Sequence, residues 1–436
     1  MIDNPFDFGN PISDPKHFFG RGREVDNVFS RLRNAGFGSS SIVGERRMGK
    51  TSLLNYLMHP SVRHSQRLDS DKYLFVYEDL QKVNEDTTPV QLWQWLLQAM
   101  SQCCKDNEVE QMLVKLSKAE LITIADLTTS LNEVSKKGMR IVLLLDEFEH
   151  VTGNHNFGPD FFYNLRSLAI RPQRSLSLIT SSRRLLSDLC HSEAIRSSPF
   201  FNIFAHINIP LFTENEARDL ISASLNETAV SFTDADFKAI FQIAGTHPYF
   251  LQVACSFLFE AYFTNLRSDK HTFLLKEFEK QAIPQLHYSW NSSDDQEKIV
   301  LTTLALLERQ RKIEGLSFNT KQLQDLYEHS GQTLKRLEMR SLLASKADRY
   351  CLFSTSFGEW ICTEITATIR DQKNYNEWLK SNKGMMDHLS SRGKKELGEI
   401  LPKISSKYRE LIITWVSDPQ NLIMAARLLK VALGPG

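Results

Sequence analysis

Gly44-Glu45-Arg46-Arg47-Met48-Gly49-Lys50-Thr51 has the spacing G-x-x-x-x-G-K-[ST], a pattern suited to phosphate chemistry. Its glycines let backbone N–H groups curl around phosphates, and the helix expected from Ser52 to Met58 adds its positive dipole end. Lys50 is placed to meet β- and γ-phosphates as a point charge, and the Thr51 hydroxyl to ligate Mg²⁺. A phosphate loop needs a second metal contact at the end of a neighbouring strand. Ile141-Val142-Leu143-Leu144-Leu145 delivers Asp146 and Glu147 at such an end. Asp146 suits the Mg²⁺ shell, and Glu147 suits the orientation and deprotonation of an attacking water. A third strand ends in Ser181-Ser182-Arg183-Arg184. A polar group there can sense a γ-phosphate, and Arg183 can stabilise charge on the transferring group.

These residues need a scaffold, and the pattern around them supplies one. Short apolar runs at Ser39–Val43, Tyr73–Tyr77, Arg140–Leu145, Leu176–Thr180 and His206–Ile209 alternate with amphipathic stretches. Strands buried on both faces and joined by helical crossovers give a parallel α/β sheet. After Pro210 such runs stop. Thr213 with Glu216 forms a capping-box pair, and Thr233 precedes another helix. The expected organisation is an α/β nucleotide-binding domain (1–210), a helical lid (211–290), a winged helix (291–370) and a small helical C-terminal module (371–436). The winged helix is read from helices at Ile299–Leu307, Thr320–Tyr327 and Gln332–Arg340 and a hairpin over Leu342–Phe353. Gly245-Thr246-His247-Pro248 is a helix-stop, helix-start signal.

The bulk properties exclude several classes. Lys plus Arg and Asp plus Glu both total 52 in a chain of 436 residues, so the net charge demands neither nucleic acid nor an anionic membrane. The longest aliphatic run, Ile141–Leu145, is far below the ~20 residues of a membrane span. The N-terminus shows no signal-peptide pattern. Six scattered cysteines, with Cys103 and Cys104 assigned to a buried helix position, lack metal-ligand spacing and fit buried thiols in a reducing cytoplasm.

Asn4-Pro5-Phe6, Gly9 and Pro11, then Phe18-Phe19-Gly20-Arg21-Gly22-Arg23-Glu24 and Arg46-Arg47-Met48-Gly49-Lys50-Thr51-Ser52-Leu53-Leu54, resemble the STAND and archaeal-type ATPases. These belong to the broader AAA+ and origin-recognition group of P-loop NTPases. Asp146-Glu147, Thr180-Ser181-Ser182-Arg183 and Gly245-Thr246-His247-Pro248-Tyr249 continue the likeness over residues 1 to 365. The resemblance implies an ATPase that binds ATP or ADP with Mg²⁺ and turns over slowly. It implies that Phe19-Gly20-Arg21 lines the adenine pocket, that Gly44 to Ser52 cradles the phosphates, and that Arg183 sits near the γ-phosphate. Pro248 would pack on adenine or ribose, with His247 near phosphate. No Met-His-Asp motif marks the winged helix, and Arg166, Arg171 and Arg174 are the candidates for an arginine acting in trans.

The resemblance further implies a signalling switch, in bacterial or archaeal defence, whose nucleotide state controls conformation and assembly. Its partners would be further copies of the chain or a separate effector or sensor protein. The competing expectation is an origin-recognition-like ATPase that binds DNA. There Lys335, Arg336 and Arg340 on the third helix, with Lys346 and Arg349 on the wing, would face phosphates, opposed by Glu338 and Asp348.

Overall fold

The computed structural model describes residues 4–362, except 70, 172, 227, 264–268, 311–317 and 326, and a few positions between 392 and 400. The helical module expected at 371–436 lies outside the described residues apart from those few. The described residues form two compact units: Phe8–Ser224, and residues 4–7 together with those from Leu225 onward.

The first unit is built on five parallel strands, β1 (Ser39–Val43), β2 (Tyr73–Asp79), β3 (Arg140–Asp146), β4 (Leu176–Ser182) and β5 (Phe204–Asn208), in the order β2-β3-β4-β1-β5. Side chains alternate across a strand, so β3 feeds two cores at once. Ile141, Leu143 and Leu145 join one apolar cluster with Leu92, Leu96 and Phe162 from covering helices. Val142 and Leu144 join the opposite cluster, with Phe29 of the helix Gly22–Arg33 and Leu53 and Leu57 of the helix Lys50–Met58. All five aliphatics are at most 2% exposed, each contributing about 1.5–3 kcal/mol of burial. A strand so embedded is a rigid mount for the carboxylate at its end. The sheet order also corrects one expectation. β3 is not the immediate neighbour of the phosphate-loop strand, because β4 pairs with both and lies between them.

In the second unit the helices Asp234–Ala244, Pro248–Phe263, Lys270–Asn291 and Asp295–Gln310 precede a small antiparallel sheet. That sheet has the order β6-β8-β7, from β6 (Phe318–Asn319), β7 (Leu343–Lys346) and β8 (Arg349–Leu352), with the helices Thr320–Gln324 and Ser330–Met339 between β6 and β7. The two-residue β6 had no counterpart in the sequence pattern. Gly245 ends the helix Asp234–Ala244 at φ +59°, and a Cβ there would lie 1.8 Å from the Phe353 carbonyl oxygen, so only glycine fits. The N-terminal segment is anchored in this unit. Asn4 donates to the Ser256 backbone oxygen and Oγ at 3.1 and 2.9 Å, and Phe6 packs on Phe232 and Phe259.

All six cysteines are free. Cys104, Cys190, Cys255 and Cys362 are buried, but Cys103 is exposed, contrary to the expectation of a buried pair. It is the last residue of the helix Pro89–Cys103, and the extended backbone of Cys104 that follows puts the two thiols in different surroundings. No helix among the described residues is long and apolar enough to cross a membrane.

Candidate functional site

The phosphate loop leaves the buried β1 and turns into the helix Lys50–Met58 through two left-handed residues, Arg47 at φ +66° and Gly49 at φ +90°. Backbone N–H groups in such a turn make an anion-binding concavity, reinforced by the helix dipole. The loop's walls are fixed from several sides. The Gly44 N–H donates to the Ser182 oxygen of β4 at 3.1 Å. Arg47 donates to the Phe8 and Gly9 oxygens, each at 3.2 Å. Ser52 Oγ accepts from the Ile12 N–H at 3.0 Å. Glu45 and Met48 are buried under the turn, whereas Arg46 is exposed. The Lys50 ammonium curls back into the loop, 2.9 Å from the Gly44 oxygen and 3.2 Å from that of Glu45, and lies 3.9 Å from Glu147 Oε1.

Asp146 is nearly fully buried and gathers hydroxyls around it. Thr51 Oγ1 donates to Oδ2 at 2.7 Å and the Tyr77 hydroxyl to the same atom at 3.2 Å, while Ser181 Oγ donates to Oδ1. Burial, followed by the Asp146 charge, pushes the Tyr77 phenol well above its ordinary value, so it remains a donor. Glu147 follows in the left-handed region at φ +53°, its N–H bonded to Asp146 Oδ1 and Ser181 Oγ, both at 3.1 Å. A non-glycine residue held there costs about 1–3 kcal/mol and persists only where its surroundings over-determine it. The carboxyl of Glu147 is raised, first by burial and then by the charge of Glu149, with Lys50 acting in the opposite direction.

Arg183, just past β4, is anchored on Glu149. One carboxylate oxygen, Oε1, accepts both its backbone N–H at 3.1 Å and its Nε–H at 2.9 Å. Arg184 instead lies in the turn, its carbonyl taken by Ser182 Oγ at 2.7 Å. Of the candidates for an arginine acting in trans, Arg174 donates to the Ala35 carbonyl and Arg166 sits on the helix Pro159–Ala169.

The Phe19-Gly20-Arg21 segment forms the entry to the helix Gly22–Arg33. Gly20 and Arg21 are both left-handed, and a Cβ on Gly20 would lie 2.8 Å from the Phe212 ring. The Arg21 guanidinium lies 4.3 Å from the centre of that ring, a cation–π contact. It is 4% exposed with Nη2 unpartnered, and burial lowers it to about 10 against the opposing pull of Glu24 and Glu216. Phe19 is half-buried, and its neighbour Phe18 stacks on Tyr56 of the phosphate-loop helix at 4.3 Å. Pro248 opens the helix Pro248–Phe263 in the other unit, where His247 is buried against Phe250 and Phe353.

The structure therefore brings Gly44–Ser52, Asp146, Glu147 and Arg183 to the carboxyl ends of three adjacent strands, β1, β4 and β3. It adds three groups that the motifs did not single out individually for these contacts: Tyr77, Ser181 as a ligand of Asp146, and Glu149. Glu149 stands in a local run of acids, as the third of Asp146-Glu147-Phe148-Glu149, and Ser181 in the polar end of β4. An ammonium, a helix N-terminus, a hydroxyl–carboxylate pair and a second carboxylate can together bind a triphosphate and direct water at its end.

Comparison with known proteins bears on the fold and the family. No curated protein sequence matches the chain significantly. Among solved structures, a Walker-type ATPase of Pyrococcus abyssi is similar with a TM-score of 0.53 at 14% identity, over 81% of this chain and 99% of that one. The ORC2 protein of Aeropyrum pernix, in its ADPNP–ADP complexes, is similar with a TM-score of 0.52 at 11% identity, over 93% and 98%. At such identities the likeness shows a shared fold, that of P-loop ATPases. The family model for the novel STAND NTPase 2 family matches residues 34–305, which include all five strands of the parallel sheet. Since that match spans more than half of the sequence, the chain belongs to the novel STAND NTPase 2 family.

Proposed function

We propose that this chain is an ATP-binding and slowly hydrolysing switch whose nucleotide state controls its conformation and its assembly with copies of itself or with a separate effector or sensor protein. The observation that carries this function is the convergence of Lys50, Thr51, Asp146 and Glu147 within hydrogen-bond or ion-pair range. The site fits Mg²⁺ delivered with nucleotide. Thr51 Oγ1 and Asp146 Oδ2 are hard oxygens 2.7 Å apart, and Mg²⁺ commonly takes one or two protein oxygens with phosphates and water. Among the described residues no cluster of three or more His, Cys, Asp or Glu forms a cage for a metal alone.

In this mechanism Thr51 and Asp146 would hold the metal, which neutralises charge on the β- and γ-phosphates when bound. Lys50 leaves the loop carbonyls for the phosphates, a short swing from a preformed position. Glu147, no longer paired at 3.9 Å with Lys50, orients a water and accepts its proton; its raised carboxyl suits that task. Arg183 meets charge at the γ-phosphate. Phe19, Gly20 and Arg21 are assigned to the base, and Pro248 to the base or ribose from the lid. Functionally the chain divides into nucleotide-binding (1–210), lid (211–290) and winged-helix (291–370) parts, acting in the cytoplasm and, as the family resemblance suggests, in bacterial or archaeal defence.

The test is Lys50→Ala. ATP affinity should fall at least tenfold, the scale of one charge-assisted hydrogen bond to phosphate, and undiminished binding would sink the assignment. Sizing of the parent protein with ADP and with a non-hydrolysable ATP analogue should show different assembly or shape; identical profiles would remove the switch.

DNA binding by the winged-helix part is the second possibility. It is disfavoured because Arg336 and Arg340 are engaged internally, Arg336 with Asp294 and Gln296, and Arg340 with Glu297, Ser292 and Ser293.

A further inference from the structure

We propose that Glu149 is a positioning residue that aims Arg183 at the γ-phosphate, so that discrimination of triphosphate from diphosphate depends on a carboxylate outside the phosphate-binding motifs. This rests on the nucleotide-binding function proposed above.

Three observations carry it. The first is the sheet order. β4 lies between β1 and β3, so whatever follows Ser182 stands between the phosphate loop and Asp146-Glu147, where the end of a bound triphosphate would lie. The second is the grip itself. Oε1 of Glu149 takes the backbone N–H and the Nε–H of the same arginine, at 3.1 and 2.9 Å. Two bonds from one atom fix both where the chain turns after β4 and the plane of the guanidinium. Holding Nε sets that plane while preserving the parallel geometry with which the two terminal nitrogens can meet a phosphate.

The third is burial. The Glu149 side chain is 3% exposed, and its second oxygen, Oε2, is buried without a hydrogen-bond partner. Arg183 is one-third exposed. The carboxylate is thus the buried anchor and the arginine the member that reaches solvent. A buried anion with an unsatisfied oxygen is costly unless a cation stays close, so Glu149 draws Arg183 back to one place. Its mount is equally fixed. The Phe148 N–H bonds to the Ser181 oxygen of β4 at 2.9 Å, and Glu149 opens the short helix Glu149–Thr152, its carbonyl accepting from the Gly153 N–H at 2.9 Å. Preorganised donors of this kind act without reorganisation at the moment of binding.

The experiment is equilibrium binding of ADP and of a non-hydrolysable ATP analogue to the full-length protein, the readout being the ratio of the two affinities. Arg183→Ala and Glu149→Ala should each lower the preference for the triphosphate about tenfold, the scale of one charge-assisted hydrogen bond. The double variant should lose no more than either single one, because the two residues act as a unit. Glu149→Gln, which keeps the oxygen acceptor but not the charge, should fall between the parent and the Ala variant. Glu149→Asp keeps the buried charge but withdraws it by one methylene, and should lose the preference. The Asp and Gln variants decide the matter if the Ala variant fails to fold.

Retention of the preference by Glu149→Asp and Glu149→Ala would overturn the proposal, as would losses that add in the double variant. A parent that binds neither nucleotide would instead overturn the nucleotide-binding function, and this inference with it. A parent that binds both, with Arg183→Ala indistinguishable from it, would overturn the inference alone.

Discussion

At the scale of single residues the site combines a strained backbone with a carboxylate that resists ionisation. Glu147 sits at φ +53°, and burial and then Glu149 raise its carboxyl. With the folded value above the unfolded one, the folded state binds more protons, so stability falls as pH rises through that interval. At neutral pH an ionised Glu147 therefore costs stability. Glu147→Gln should abolish most hydrolysis, by about 10²-fold or more, while retaining ATP. It should also stabilise the protein at pH 7 by roughly 0.5–2 kcal/mol, the range of single changes that relieve functional strain. That gain should shrink as pH falls through the ordinary glutamate value of about 4.3 and vanish near pH 3, where the unfolded carboxyl is also protonated. Denaturant unfolding at the two pH values checks the sign, and a variant less stable at pH 7 would refute it. The candidate phosphate-loop residues and Asp146-Glu147 stood out in the sequence because each set is contiguous and closes a buried strand, and the fold does bring them together. Tyr77, Ser181 and Glu149 were not legible as a group around Asp146 and Arg183. Their contacts exist only once β4 has been inserted between β1 and β3, and strand order is not written in any local pattern.

At the scale of elements, hydrophobic runs located all five strands of the parallel sheet, because strands buried on both faces must be apolar throughout. The two-residue β6 escaped, being too short to show a period. Helix starts were legible at Thr233, where the structure forms a capping box with Asp236. What the cap pattern could not show is that Asp236 also ties three helices together. It is fully buried and accepts from Tyr262 at 2.5 Å, Lys270 at 2.9 Å and His271 at 2.7 Å. Burial alone would raise its carboxyl, but the bonds from Lys270, Tyr262, Thr233 and His271 together hold it far below the carboxylate range. A depressed folded value means that this stabilisation is complete above the unfolded value of about 3.9 and is lost as pH falls below it. Asp236→Asn should therefore destabilise by about 3 kcal/mol at pH 7, as when one partner of a buried pair is removed. Parent and variant should converge towards pH 2. Unfolding free energies measured across that range test this, and a constant difference down to pH 2 would show that the carboxylate's charge is not what binds the helices.

At the scale of the whole molecule, charge decides between partners. The chain carries 52 basic and 52 acidic side chains, so no long-range field draws it to a polyanion. Local charge could still serve DNA, and the helix Ser330–Met339 was the candidate. Its cations are used otherwise. Arg340, just past the helix end, is 5% exposed and pairs with the 2% exposed Glu297 at 2.5 Å, while Arg336 bonds Asp294 at 3.0 Å; Lys335 is exposed. Both acids lie at the start of the helix Asp295–Gln310, so the two arginines fasten one helix to another within their unit. A buried pair of this kind cannot be offered to phosphates without leaving Glu297 uncompensated. Each phosphate neutralised contributes about 0.9 to the slope of log affinity against log salt. With Arg336 and Arg340 so engaged, at most three of the five named cations could meet phosphates, and duplex DNA should bind no tighter than about micromolar at physiological salt. Affinity should change no more than about fortyfold between roughly 50 and 200 mM salt. Fluorescence anisotropy with labelled duplex, in ADP and in a non-hydrolysable ATP analogue, measures both quantities. A loss of about 10³-fold or more over that range, in either nucleotide, would require six or more phosphate contacts and would move the proposed partner from protein to DNA.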